Sequence, residues 1–215
     1  MSTPATVAAV LRDQILGLSI APGTPLREVA LASAHGCSRR TAREALQELA
    51  REGLVAHEPN RGAAVRSFTA HDIRDLYRAR RTLEGQGAAA CGTAPADRLR
   101  AVADACDRLA VAARADQDSA AHALADLQFH ASVIALIGSD RIDRMFAQIS
   151  TEMAFAIRLI LQRETSELVP VYTVIADHIR IRDAVLARDP IAAQRAVQQH
   201  IDDYEPQLLR LVSAQ

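Results

Sequence analysis

The stretch Cys37-Ser38-Arg39-Arg40-Thr41-Ala42-Arg43-Glu44-Ala45-Leu46 decides how the first third of the chain is read. Ser38 is placed to cap a helix that runs to about Arg51 and stops at Gly53. On that helix Ala42, Ala45, Leu46 and Leu49 share the face that turns to a core. Arg39, Arg40, Arg43 and Gln47 fill a second arc of about 100°, with Glu44 and Glu48 beyond its edge. The arc is free of carboxylates and offers three guanidinium groups and an amide to an outside partner. Arginine contacts phosphates or grips guanine edges with paired hydrogen bonds, and glutamine reads adenine, so this arc has the chemistry of a major-groove reader. The amides at the helix start, with Ser38, add phosphate contacts. A solvated helix face held by i,i+4 pairs such as Arg40 with Glu44 has the same pattern, and only the flanking sequence distinguishes the two.

Upstream, Val7, Val10, Leu11, Ile15 and Leu18 suit one face of a helix over 6–18, closed by Ala21-Pro22-Gly23. Residues Leu26 to Ala34 give a second helix, ended by His35-Gly36, where glycine suits a left-handed cap. Downstream, residues 54–58 and 63–66 read as two short strands around Pro59-Asn60-Arg61-Gly62. Three short helices and a hairpin form a winged helix-turn-helix, which selects the DNA-reading alternative. Beyond Thr69, a predicted N-cap, everything reads as helix: periodic segments fall near 70–91, 95–115, 118–137, 139–163, 167–188 and 190–212. The expected fold is mainly α. A winged helix-turn-helix DNA-binding domain spans 1–67, and an all-α antiparallel bundle of about six helices, for effector binding and dimerisation, spans 68–215.

Composition supports this division by what it excludes. With 215 residues and 49% hydrophobic content the chain can bury a core. No segment approaches the roughly 20 apolar residues of a membrane span, and the N-terminus lacks a basic start and apolar core, so a cytoplasmic protein with no membrane partner is expected. Cys37, Cys91 and Cys106 form no CxxC pair, which argues against a disulfide framework or zinc ribbon. All 25 basic residues are arginine, so arginine abundance carries no information and only placement does. Net charge is −1, but residues 1–67 hold 8 Arg against 6 Asp and Glu.

The signatures Pro22-Gly23, Leu26 with Glu28, Leu31-Ala32, Gly36-x-Ser38-Arg39, Arg43-Glu44-Ala45-Leu46, Leu49, Gly53-Leu54-Val55 and Asn60-Arg61-Gly62 together resemble the winged-helix domain of the GntR family of bacterial transcription regulators, over residues 6–66. The resemblance implies that Arg39, Arg40, Thr41 and Arg43 contact DNA from the recognition helix, with Arg61-Gly62 at the wing tip near the minor groove. It also implies a homodimer on palindromic double-stranded operator DNA. Members commonly carry Thr-Pro-Val where this chain has Arg40-Thr41-Ala42, so the operator preference is expected to differ. Cys37 replaces the usual Val and reads as a small buried hydrophobe.

In the second domain Asp126 and His130 stand i,i+4 among Leu127, Phe129, Val133, Ile134 and Ile137, two polar groups in an apolar face. His178 lies between apolar residues on its helix, and His200 has Ala193, Val197 and Tyr204 nearby on the last helix. Inward histidines satisfy one another either as a hydrogen-bonded core set or by sharing a divalent metal. Asp126-Leu127-Gln128-Phe129-His130, Asp177-His178-x-x-Ile181-x-x-Ala184 and Ala196-x-x-x-His200-Ile201 resemble the FCD domain, the all-helical effector module of the FadR-like subfamily. That resemblance implies a metal held by Asp126, His130, His178 and His200, with Zn²⁺ the first choice and Ni²⁺ or Mn²⁺ suited to an octahedral arrangement. It also implies a small carboxylate effector clamped by Arg80 of the Arg80-Arg81-Thr82-Leu83-Glu84 segment; an Arg80–Glu84 salt bridge is the alternative use of that residue. His122, outside the pattern, is expected at the surface.

The expected function is a ligand-responsive transcription regulator and not an enzyme. A metal-dependent hydrolase or isomerase acting on a small carboxylate is the rival from another class, because an open His/Asp-held ion can activate water. The chain has no HExxH and no evident general base beside the four ligands. A constitutive DNA binder with a structural metal is the third reading.

Overall fold

The computed structural model describes residues 2–58, 62–115, 120–163 and 171–213. The chain forms two compact units, Met1–Ser67 and Phe68–Gln215.

In the first unit, helix α1 spans Pro4–Leu16, with Thr3 as N-cap accepting from the Thr6 amide and Pro4 in the first turn. It starts earlier than the apolar period predicts because Thr3-Pro4 forms a cap. It ends at Leu16 because Gly17 caps it and Leu18 turns to φ 59°. Val10, expected on the inner face, is 40% exposed, and Ala8 is buried instead. Helix α2 spans Glu28–Ala34 and α3 spans Arg39–Arg51, joined by a turn in which Gly36 adopts φ +59°. The α3 residues Ala42, Ala45, Leu46 and Leu49 are buried, as the period of that helix dictates. Arg12 of α1 ties the end of α3, donating to Glu52 at 2.6 and 2.5 Å and to Glu48 at 3.3 Å. Strands β1 (Val55–Glu58) and β2 (Gly62–Val65) pair antiparallel, Val55 opposite Val65 and Glu58 opposite Gly62. The segment before α2 extends this ribbon: Pro25 bridges Ala64, and Leu26 donates to the Ala63 carbonyl at 2.8 Å. No apolar run in the sequence announced that third edge. The predicted wing-tip residue Arg61 lies outside the described residues.

In the second unit, α4 (Ala70–Ala89) opens with a capping box between Thr69 and Asp72. It is followed by α5 (Ala96–Ala115), α6 (Ala120–Ile134), α7 (Asp140–Arg163), α8 (Val171–Leu186) and α9 (Pro190–Ser213). Short 3-10 turns at Ala90–Gly92 and Ala135–Ile137 complete the connections. Gly138, at φ 79°, ends the second of these in the left-handed region. Helix α4 packs on α9 and α6, α6 also on α5 and α7, and α8 on α5 and α9, forming a helical bundle. The α4–α6 contact is unusually close because of Gly87: a Cβ there would lie 2.4 Å from the Val133 carbonyl oxygen. Cys91 and Cys106 are buried free thiols, and Cys37 is half-buried where full burial was expected, because it sits in the exposed α2–α3 turn.

Candidate functional site

Two groups of side chains carry chemistry, one in each unit. In the first, Ser38 caps α3 by accepting from the Thr41 amide at 3.0 Å, which fixes where the helix starts. Arg39, Arg40, Arg43 and Gln47 are all exposed along α3, with Thr41 half-buried and Gly62 exposed at the start of β2. The arc is not free of carboxylates, however, because a helical projection counts only its own helix. Glu28, from α2, takes a two-pronged bond from Arg43, Nε to Oε1 at 2.7 Å and Nη2 to Oε2 at 2.8 Å. Arg40 donates to Glu44 at 2.9 Å, the i,i+4 pair of an ordinary solvated face. Arg39 makes no ion pair among the described residues. The bonds from Arg43 hold the Glu28 carboxyl below the usual carboxylate range against the effect of burial, and the charges of Arg39 and His57 add to this. Glu28 therefore lies in a cationic patch and fixes the direction of one of its guanidinium groups.

In the second unit, α6 supplies Asp126 and His130, α8 supplies His178 and α9 supplies His200. All three histidines are buried, and their ligand-capable nitrogens lie within 4.8 Å of one another. Asp126 Oδ1 is 3.0 Å from His178 Nε2, and Oδ2 is 3.7 Å from His130 Nε2. The Nε2 atoms of His130 and His178 are 3.4 Å apart. Phe129 packs edge-on against both rings at 5.5 and 4.9 Å, while the His200 ring stacks on His130 at 5.0 Å and meets Tyr204 at 4.8 Å. The buried His200 Nδ1 has no hydrogen-bond partner among the described residues.

The electrostatics of the cluster follow from burial. Desolvation pushes the His130 and His200 imidazoles toward the neutral form, for His130 against the charge of Glu84. Burial works against the charge of Asp126, but His130, His178 and Arg80 hold its carboxyl well below the ordinary range. Neutral imidazoles beside an ionised carboxylate are the donor set that a divalent cation accepts. Bonds of about 2 Å to a shared ion separate its ligand atoms by roughly 3 to 3.5 Å, close to the spacings seen between Asp126, His130 and His178. These residues fit a metal.

Arg80 on α4 is buried at 2% exposure and makes the salt bridge that was the alternative reading, Nε to Glu84 Oε1 at 2.6 Å. It also reaches the cluster, with Nη2 3.0 Å from His130 Nε2 and the guanidinium 5.3 Å from the centre of the Tyr77 ring. Glu84 in turn meets His130 Nδ1 through Oε2 at 2.7 Å. Burial alone would raise the Glu84 carboxyl, but the adjacent Arg80 charge, followed by His130, holds it down at about 2. The i,i+4 spacing of Glu84 marks it only as a partner for Arg80, and nothing in that spacing reveals a contact to another helix. His122, expected at the surface, is 6% exposed: the free face of α6 is carried by Ala121, Leu124 and Gln128, and His122 projects away from it on a helix packed against α4, α5 and α7.

Comparison with known proteins places these two groups. The gntR family of bacterial regulatory proteins matches residues 3–65, and the FCD domain matches residues 75–203. The chain is 30% identical over 212 residues to a protein of Paenarthrobacter nicotinovorans described as a probable D-xylose utilization operon transcriptional repressor, covering 95% of this chain and 89% of that one. It is 32% identical over 200 residues to an HTH-type transcriptional regulator from an unstable DNA locus of Streptomyces ambofaciens, covering 91% and 82%. A solved GntR transcriptional regulator from Rhodococcus sp. RHA1 superimposes with a TM-score of 0.79 at 33% identity, covering 96% of this chain and 97% of that one. These families and relatives are transcriptional regulators, not enzymes. With a winged helix whose arginine-bearing helix faces solvent and a bundle built around buried histidines, the chain belongs to the GntR family of bacterial regulatory proteins, as a DNA-binding transcriptional regulator with a C-terminal FCD domain.

Proposed function

We propose that this regulator is switched by a small organic acid bound at a divalent metal in its FCD bundle. The observation that carries the reading is the set of buried His130, His178 and His200 with the half-buried Asp126 beside them. Three imidazoles from α6, α8 and α9 converge, the Asp126 carboxylate lies 3.0 Å from His178 Nε2, and His200 Nδ1 has no hydrogen-bond partner among the described residues. Burying such groups is costly unless they share a partner, and one ion satisfies them together. Zn²⁺ is the first choice, with Ni²⁺ or Mn²⁺ as the octahedral alternatives. Four protein ligands leave positions on a five- or six-coordinate ion for water or a carboxylate, and Arg80 stands beside His130 to pair with that carboxylate.

At the other end of the chain, Arg39, Arg40, Thr41, Arg43 and Gln47 contact operator DNA from α3, Ser38 and the first amides of α3 meet a phosphate, and Arg61-Gly62 approaches the minor groove. A homodimer would match the two halves of a palindromic site. The acid regulates only to the extent that it binds one arrangement of the dimer better than the other.

Metal analysis of the purified protein, followed by a melting-temperature screen of small carboxylic acids with and without metal, tests the site. An active acid should raise the melting temperature only in the metal-loaded form. Asp126→Ala or His200→Ala should remove this response while operator binding stays measurable, and an unchanged response would discard the assignment. Arg39→Ala and Arg43→Ala should each weaken binding to the protein's own promoter in a gel-shift titration, by about 1 to 3 kcal/mol where a base edge is read. No preference for that promoter over random DNA would overturn the operator reading.

A further inference from the structure

We infer that Glu84 is the positioning residue of the bundle site: one buried carboxylate sets the tautomer of the metal-facing His130 and anchors the Arg80 guanidinium beside it. The inference rests on the metal reading above and adds a residue that neither ligates the ion nor meets the effector.

The geometry is specific. Glu84 is fully buried, and its two oxygens serve different partners, Oε1 taking Arg80 Nε at 2.6 Å and Oε2 meeting His130 Nδ1 at 2.7 Å. A neutral imidazole has one N–H and one lone pair. A carboxylate at Nδ1 can only accept, so the proton resides on Nδ1 and the lone pair on Nε2. Nε2 accepts from Arg80 Nη2 at 3.0 Å, which fixes the same tautomer, and faces Asp126 at 3.7 Å and His178 at 3.4 Å; an ion at this nitrogen would take over the lone pair that Arg80 occupies. The opposite tautomer would set the Nδ1 lone pair against the Glu84 oxygen and turn an N–H into the donor set. Orientation of a ligating histidine by a carboxylate on its other nitrogen fixes the ring and raises its basicity.

The same carboxylate explains why a guanidinium is tolerated in this interior. Arg80 is 2% exposed, and an unpaired charge there would be strongly destabilising. Paired with Glu84, it adds no net charge, which leaves Asp126 as the single uncompensated carboxylate at the cluster among the described residues. A divalent ion then retains one positive charge and favours one anionic group on the effector. The α4–α6 spacing that brings Glu84 to His130 is set one turn further along, where Gly87 lies against Val133.

Isothermal titration of the full-length, metal-stripped protein with Zn²⁺ or Ni²⁺ alone, together with nitrogen NMR of its imidazoles, tests this. Glu84→Gln should lower metal affinity by about 10- to 100-fold. Because that variant leaves Arg80 buried without its carboxylate, Arg80→Met/Glu84→Leu, which removes both charges, is measured beside it. The double variant should remain folded by circular dichroism and show a similar loss. In the wild type His130 should appear as the Nδ1–H tautomer, and in the double variant as a mixture. A folded double variant with wild-type metal affinity, or a wild-type His130 protonated on Nε2, overturns the role given to Glu84. A wild type that takes up no metal by titration removes the metal reading itself, and with it this inference.

Discussion

Gly87 and Gly85 stand two residues apart on α4 and separate two meanings of glycine. A Cβ on Gly87 would lie 2.4 Å from the Val133 carbonyl oxygen and 2.8 Å from the Ile134 Cα, whereas one on Gly85 meets nothing within 4 Å. Gly87→Ala must push α4 from α6 and should cost about 1 to 3 kcal/mol, the range for overpacking. Gly85→Ala should instead stabilise by roughly 0.5 to 1 kcal/mol through helix propensity. Urea denaturation of both variants checks the opposite signs; equal effects would mean that the close approach does not set the helix spacing. Arginine likewise has different meanings on α3. Arg40 shares an exposed i,i+4 pair that solvent screens, whereas Arg43 is aimed by Glu28 from another helix.

At the scale of elements, α3 owes its start to a side chain and its seat to a face. Ser38 accepts from the Thr41 amide, and Ala42, Ala45, Leu46 and Leu49 bury the opposite side. Ser38→Ala should lower stability by about 1 kcal/mol through loss of the cap. Ser38→Asp keeps a capping oxygen and favours the positive end of the helix dipole, so stability should be retained. Its charge would repel phosphate, so affinity for promoter DNA should fall while the urea midpoint holds. A Ser38→Asp protein that binds DNA as the wild type does would place this helix end away from the operator backbone. These features were legible in the sequence because a cap and a period involve residues within one or two turns. The edge pairing of Pro25 with Ala64 was not, since it joins segments about forty residues apart without an alternating apolar pattern.

At the scale of the whole molecule, pH should act mainly through the bundle. Glu84 has an ordinary value of 4.5 and is held at about 2 in the fold, so its stabilisation is present above pH 4.5 and is lost as pH falls toward 2. His130 and His200 are held below their ordinary value of 6.5, so below that pH the unfolded chain takes up protons that the folded chain refuses. Both effects have one sign. Stability in metal-free buffer should decline as pH falls below about 6.5 and decline further below about 4.5, by about 3 kcal/mol for the Glu84 shift in full. Urea denaturation from pH 8 down to about 2 measures this, and a flat profile would mean that these groups titrate alike in both states. The sequence by itself determined the winged helix, the helical bundle and the inward faces carrying Asp126, His130, His178 and His200, because caps, turns and apolar periods act locally along the chain. Only the tertiary structure decided that Glu28 aims Arg43, that His122 is enclosed and that Glu84 joins Arg80 to His130. Those relations depend on the distance and rotation between helices, which side-chain packing sets and which no single helix encodes.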